Sequence, residues 1–552
     1  MSNTEAIAPN AKRLLWAGFT AILAAGVGFG VRGGIFGTWA AEFGFTGAQL
    51  GAIGGAGFTS FCFGIMIGGV LVDKFGYGKL VFAAFALHLL SAFVTFGAAA
   101  GQEQSVAYQF LFWGMFAFGA ANGVLEAVSN PLVATLFPNN RNHYLNILHA
   151  SWPLGMVFGG VIGWVLGDKF DWSWKAQLSL YLIPTVVYGA MFFRQKYPKS
   201  EATEKGLKFG EMLKDVGLLG GAVVSFMLYL FFKGLLTPFF DQPLIGTVLA
   251  SLIAVLVLGS IVTLTGFSIG HWMLALLFVA HALVGAVELG TDGWIQNITG
   301  AILNPTEGKI LFVFTSLMMF GLRFCAHFIE TKVGLKPIGL LFVCALLAVL
   351  GLNLVSAVSA FGPALGALLV YAFGKTFFWP TMLAVVSDRF PRTGGIAISL
   401  MGGVGMMSAG LIGGPGLGYF KDRFAAEELA KKDAAIHAEW TAGENTSKFL
   451  VFEEVKSIDP AKLEAAKAAA GAKKLATTLT EAGKEVPAEV AEKAAALTPA
   501  QQTVVDADIV GNRKTLKVDS IIPLAMASIF LFLILYFKSI GGYRPLKVDE
   551  QQ

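Results

Sequence analysis

The chain has 552 residues, of which 55% are apolar and 14% charged, with a formal net charge of +4 and a mean hydropathy of +0.67. Soluble proteins carry about 25% charged residues, so a soluble enzyme is excluded, and so small a net charge argues against nucleic-acid binding. Apolar runs of about 20 residues, the length that crosses a bilayer core as helix, recur without the strict alternation of a membrane β-barrel, and the fold class read from them is an all-α polytopic membrane protein.

In chain order, spans are expected near 14–40, 48–72, 80–101, 107–137, 144–168 and 174–193. No small-residue cleavage site ends the first of these early, so it reads as a span and not as a removed signal peptide. A basic stretch from Arg194 to Lys214 follows, then two segments near 215–232 and 243–265. The remaining spans fall near 272–300, 308–330, 338–358, 361–387, 393–419 and 518–537, which makes fourteen. The chain thus divides into an N-terminal six-helix half (14–193), a linker with two extra helices (194–271) and a C-terminal six-helix half (272–537). The last half is interrupted by residues 421–517, rich in Ala, Lys and Glu. By helix propensity this insert reads as a solvated, partly helical external loop. A lid or a partner-docking element is the functional alternative, since loops of this length are often functional or disordered.

One set of connections holds Lys12, Arg13, Lys74, Lys79, Arg141, Arg194, Lys196, Lys199, Lys205, Lys208, Lys214, Lys332, Lys336, Arg389, Arg392, Arg544 and Lys547. The opposite set of short loops holds only Lys169, Lys175, Lys233 and Lys309. Basic loops stay on the cytoplasmic side, so both termini are expected in the cytoplasm, in a plasma (inner) membrane. Cys62, Cys325 and Cys344 are too few and too scattered for a disulfide framework or a zinc site. No G-x-x-x-x-G-K-S/T loop is present, which argues against an ATP-driven pump. No cofactor is expected.

After the second span comes Gly69-Val-Leu-Val-Asp73-Lys74-Phe-Gly76-Tyr-Gly78-Lys79. Its glycines permit a tight turn and close helix approach, and Asp73 can latch the loop to a neighbouring helix. The string resembles the cytoplasmic loop motif of the major facilitator superfamily. That resemblance implies two six-helix halves rocking about a midplane site, with Asp73, Lys74 and Arg323 as a cytoplasmic gate. A weaker copy, Arg323-Phe-Cys-Ala-His-Phe-Ile-Glu330-Thr-Lys332-Val-Gly334, lies in the second half. Glycine rows match too: Gly155, Gly159, Gly160 and Gly163 against Gly405, Gly410, Gly414 and Gly418. The two extra segments resemble the fourteen-span branch of the superfamily.

Four further strings narrow the resemblance. They are Leu125-Glu126-Ala-Val-Ser-Asn130-Pro131, Tyr144-Leu-Asn146-Ile-Leu-His149-Ala-Ser-Trp152-Pro, Gly285-Ala-Val-Glu288-Leu-Gly-Thr291-Asp292-Gly-Trp294 and Phe378-Trp379-Pro380-Thr381. Together they resemble the fucose–galactose–glucose/proton symporter group and related sugar permeases. The first helix departs from that group, which has an acid there, by carrying Val31-Arg32-Gly33-Gly34. An arginine in that place resembles the organic-anion branches, which use it to hold an anionic group.

Ionisable side chains inside a membrane are costly and mark function. Arg32 offers a planar donor fork for an anion or a sugar hydroxyl. Glu126, with Asn122 and Asn130 one turn away on the same face, reads as the proton-coupling residue, although with Asn122 it suits sodium as well. Lys375 reads as a second substrate contact or as a partner for Glu126 across the halves. Glu288, Asp292 and Gln296 share a face of the seventh core helix and read as substrate contacts, with Trp294 and Trp379 placed to stack on a sugar ring. Arg323 reads as an inner-gate ion pair. His149, His281 and His327 lack metal-ligand spacing and read as packing residues.

The function expected is therefore secondary transport of a sugar or sugar-derived organic anion by a monomer, with a proton or sodium as coupling ion. Two alternatives stand. Fourteen spans also suit a drug/proton antiporter, against which Gly159-Gly160 lacks the Gly-Pro pair of that group's fifth helix. A receptor or assembly protein acting through the insert is the other, against which stands the cost of the membrane charges.

Overall fold

The structure, a computed structural model, describes residues 8–550 apart from positions 44, 46, 200, 238, 239, 241, 443 and 444. The first half comprises α1 (Ala11–Phe43), α2 (Gly47–Phe75), α3 (Tyr77–Phe96), α4 (Gln104–Leu136), α5 (Arg141–Val161), α6 (Trp174–Ser179) and α7 (Leu182–Phe192). Two helices, α8 (Gly217–Leu236) and α9 (Pro243–Leu264), follow the linker. The second half holds α10 (Trp272–Val284), α11 (Thr291–Ile302), α12 (Pro305–Arg323), α13 (Pro337–Ala357), α14 (Phe361–Lys375), α15 (Phe378–Arg389), α16 (Ile396–Ser408) and α17 (Gly414–Lys432). Then come α18 (Pro460–Glu481), α19 (Ala488–Ala495), α20 (Pro499–Asp519) and α21 (Ile521–Ser539).

Among the described residues, twelve helices are long and apolar enough to cross a bilayer. A pair bent by 53°, Thr306–Arg323 with Ala326–Val333, would be a thirteenth. The expected span at 174–193 is instead the two short helices α6 and α7, of 6 and 11 residues. The break has a local cause: Pro184 has no N–H and crowds the carbonyl four residues back, and the helix gives way to a tighter turn at Leu180 and Tyr181, which keep helical backbone angles. Twelve candidates are thus found among the described residues where fourteen spans were expected.

Small residues set the helix packing. A Cβ on Gly155 would lie 2.7 Å from the Gly26 Cα, and one on Gly159 would lie 2.6 Å from the Gly30 Cα. In a bilayer, where lipid competes equally for apolar surface, such close backbone contact is what drives α1 onto α5. The second half repeats the device between two π-helical turns, Gly285–Gly290 and Ala409–Gly413, where Gly290 meets the Gly413 backbone. Single π turns are frequent at functional sites, and this one carries Glu288.

The insert is partly helical, and it also carries a small core of its own. The stretch Pro499–Ser539 is a 41-residue candidate span, about 60 Å long at 1.5 Å per residue, so it must outrun a bilayer core of about 30 Å. Helix α17 likewise continues past its span, and Gly511 of α20 packs on Ala425 of α17. On this pair sits a second apolar core of Leu429, Trp440, Ile458, Leu463, Ala466 and Val504. A two-stranded antiparallel ribbon, β1 (Thr446–Ser447) on β2 (Val455–Lys456), pairs Thr446 with Lys456. A Thr498–Gln501 capping box with Pro499 at the first turn starts α20.

Candidate functional site

The two halves meet along α5 and α12, and their polar side chains join there. Arg323 at the end of α12 is 2% exposed and pairs with Glu288 at 3.0 Å. Its Nε donates to the Thr376 carbonyl at 3.0 Å, and its Nη1 donates to the His149 carbonyl of the other half. The second Glu288 oxygen accepts from the Trp379 backbone N–H at 3.1 Å. One guanidinium thus ties α5, the π turn and the α14–α15 junction together, and Glu288 has its oxygens occupied within the protein.

Glu126 is buried on α4 and has no ion-pair partner among the described residues. It accepts a hydrogen bond from Asn130 Nδ2 at 3.4 Å, and Asn130 Oδ1 lies 2.8 Å from His149 Nε2. A chain of polar contacts therefore runs from Glu126 through Asn130 and His149 to Arg323 and Glu288, crossing between the halves. Asn122, one turn earlier, turns away from it. Its Oδ1 meets His88 Nε2 at 2.8 Å, and His88 Nδ1 meets the Tyr188 hydroxyl at 2.9 Å.

Arg32 does not reach outward to water. It is 1% exposed, with its guanidinium 3.8 Å from the Phe118 ring centroid and 5.0 Å from that of Tyr181. Nη2 donates to Ser91 Oγ at 3.2 Å, and Nε has no partner among the described residues. Aromatic faces stabilise such a cation without neutralising it. Lys375 is equally buried, but it pairs with Asp292, not with Glu126. Beside that pair, Thr291 donates to Asp519 Oδ2 at 2.6 Å. Trp379 is buried with its ring centroid 4.5 Å from that of His281. Neither the Trp379 Nε1 nor either His281 ring nitrogen has a partner among the described residues. Trp294 packs instead toward Gly414 and Gly418 of α17, with Lys421 over its ring. Gln296 is half-buried on α11.

At the end of the bundle that carries the basic loops, α2 and α16 are in close contact, and a Cβ on Gly69 would lie 2.1 Å from Ser399 Cβ. The side chain of Asp73 lies outside the described residues. Lys74 is exposed, with its ammonium near the Phe75 ring. Among the described residues, Arg141 and Asp388 form an ion pair between the halves at this end, at 3.1 Å. Tyr543 donates to the other Asp388 oxygen at 2.8 Å. Burial, and then Asp388, push the Tyr543 hydroxyl well above its ordinary range, so it stays a donor.

Sequence reasoning singled out Arg32, Glu126, Glu288, Asp292, Arg323 and Lys375 as charges inside spans; all are buried here except Asp292, which is half-buried. It read His149 and His281 as packing residues and Asn130 as part of the polar face around Glu126, and it did not single out Asp519 or the Arg141–Asp388 pair. Asn130 and His149 stood within the quoted strings, but nothing in a linear spacing shows that α4 and α5 bring them together.

A family model described as Major Facilitator Superfamily matches residues 18–414. Among solved structures, the chain is similar to the proton:xylose symporter XylE of E. coli, with TM-score 0.51 and 14% identity over 72% of this chain and 86% of that one. It is also similar to the E. coli fucose:proton symporter FucP, with TM-score 0.51 and 17% identity over 73% of this chain and 92% of that one. Among curated proteins none matches.

Proposed function

Since the chain belongs to the Major Facilitator Superfamily of membrane transporters, we propose that it moves a sugar or sugar-derived organic anion in symport with a proton, by alternating access to a site between its halves. The observation that carries this reading is the split among the buried charges. Glu288 and Asp292 are ion-paired, whereas Arg32 and Glu126 have no ionic partner among the described residues. An unpaired carboxylate away from water is suited to take and release a proton, and an unpaired guanidinium is suited to an anionic or hydroxyl-rich ligand. The two solved structures named above are sugar/proton symporters by name, which fits the choice of cargo and ion.

In this mechanism Glu126 protonates from the open side as substrate reaches Arg32, His281 and Trp379. Losing the charge on Glu126 relaxes its hold on Asn130. That change passes through His149 to Arg323, which contacts both halves, so the proton biases their rocking. Charge distribution supports placing the basic-loop end, and with it both termini, in the cytoplasm. An even span number follows if the bent pair at 306–333 and the segment 174–193 both cross or if neither does, and the shared side of the basic loops on either side of each favours both crossing, which gives fourteen spans. The chain acts as a monomer.

A thermal-shift screen with D-xylose, L-fucose, D-gluconate and glucose 6-phosphate would first identify a stabilising substrate. Glu126→Gln in proteoliposomes should then abolish uptake driven by a pH gradient while preserving counterflow exchange. Uptake that still follows the pH gradient, or that follows a sodium gradient instead, would remove Glu126 as proton carrier. Arg32→Ala should abolish stabilisation by D-gluconate, and retained stabilisation would rule out an anion held there.

A further inference from the structure

The last residues of the chain fold back across the basic-loop end. Helix α21 stops at Ser539, and Gly541 and Gly542 take φ values of 92° and 106°, a region open to glycine and strained for other residues. Beyond this reversal the Tyr543 hydroxyl donates to Asp388 Oδ2 at 2.8 Å, and the Leu546 N–H donates to the Asp388 carbonyl, also at 2.8 Å. Arg389 Nη1 donates to the Arg544 carbonyl at 2.9 Å, and Asp549 forms an ion pair with Lys205 of the linker. The Tyr543 ring rests on Phe537 with centroids 5.1 Å apart.

Asp388 is where the tail meets the gate. While Tyr543 holds Oδ2, Oδ1 holds Arg141, which belongs to the first half. Arg141 is itself set by donations to the Ser387 and Ala134 carbonyls, both at 3.2 Å. Opening this end must break the Arg141–Asp388 pair but none of the tail's own bonds to α15. The tail therefore acts by pre-orienting the carboxylate, so that less rotamer entropy is lost each time the pair re-forms, and by polarising it through a shared network.

We propose that residues 541–550 form a strap that holds the basic-loop end of the transporter shut, with Tyr543 as the positioning residue that keeps Asp388 aimed at Arg141. The strap tunes how often that end opens. It does not touch the site between the halves, and it stands whatever the substrate proves to be.

The test uses the full chain in nanodiscs with Cys325→Ser and spin labels at Lys79→Cys and Lys332→Cys, exposed positions on opposite halves at this end. Tyr543→Phe deletes one hydroxyl and keeps the ring on Phe537. It should raise the ratio of open to closed label distances by roughly three- to tenfold, less than the full worth of a hydrogen bond to a charged group because that bond survives opening and only orients the carboxylate. Truncation after Gly542 should raise it at least as much, and Asp388→Asn, which weakens the link to Arg141, should do the same. Label distances in Tyr543→Phe that superimpose on those of the parent chain would overturn the proposal, and this holds even if the truncated chain fails to fold. Opening in Asp388→Asn alone, with Tyr543→Phe unchanged, would overturn it equally, leaving the pair as a gate without a strap.

Discussion

Arg323 and Glu288 form an ion pair with each side chain only 2% exposed. Removing one member of such a pair leaves a buried charge, at a cost of about 3–5 kcal/mol, whereas replacing both by apolar groups is often close to neutral. Arg323→Met and Glu288→Leu should therefore each lower the melting temperature of the purified protein, and the double variant should recover most of the loss while remaining inactive in transport. Single and double variants that melt alike would mean the pair is not coupled. Asn130 is the link between Glu126 and His149, so Asn130→Leu should slow gradient-driven uptake by roughly three- to thirtyfold, the range of a residue within a coupling network, with counterflow less affected. Equal loss in both assays would assign Asn130 to packing and not to coupling. At this scale the sequence shows which residues are exceptional, because a charge in an apolar run stands out. It does not show their partners. Glu288 is 35 positions from Arg323 and Lys375 is 83 from Asp292, and spacing within one helix says nothing about the rotation of another.

At the level of elements, the glycines of α1 and α5 fix how closely the first half packs. Gly155→Leu would drive a side chain into the Gly26 backbone, so it should cost at least the 1–3 kcal/mol or so of ordinary overpacking and reduce the yield of monodisperse protein. Gly163→Leu borders open space and should be tolerated, and a matching loss there would argue against the α1–α5 contact as the cause. Hydropathy located every one of the long apolar helices, since burial in lipid is read from composition alone. At 174–193, where length and apolarity suggested one unbroken helix, the structure has two short ones, Trp174–Ser179 and Leu182–Phe192. Hydropathy also could not see the π turn at Gly285–Gly290, because an inserted residue shifts the 3.6-residue phase without changing the composition. On and after this turn, Glu288 pairs with Arg323 and Asp292 with Lys375.

Over the whole molecule, the insert rides on helices that continue from the membrane, and Lys474 of α18 donates to the Leu303 carbonyl at the end of α11. A body attached to both sides of the second half should move with it. Deleting residues 434–498 and joining α17 to α20 by a short glycine linker should change substrate KM or the maximal uptake rate severalfold if the insert covers the site. Unchanged kinetics with intact folding would leave it without a gating part. The sequence by itself determined the membrane class, the family motif at Gly69–Lys79, the basic side and the few charges inside spans, because hydropathy and loop charge are local and add along the chain. Only the tertiary structure decided which charges neutralise one another, that the insert has its own core, and that the chain's end returns to Asp388. Those depend on which helices become neighbours and how each is rotated. Out of six conspicuous membrane charges, that arrangement pairs Arg323 with Glu288 and Lys375 with Asp292, leaving Arg32 and Glu126 without an ionic partner among the described residues.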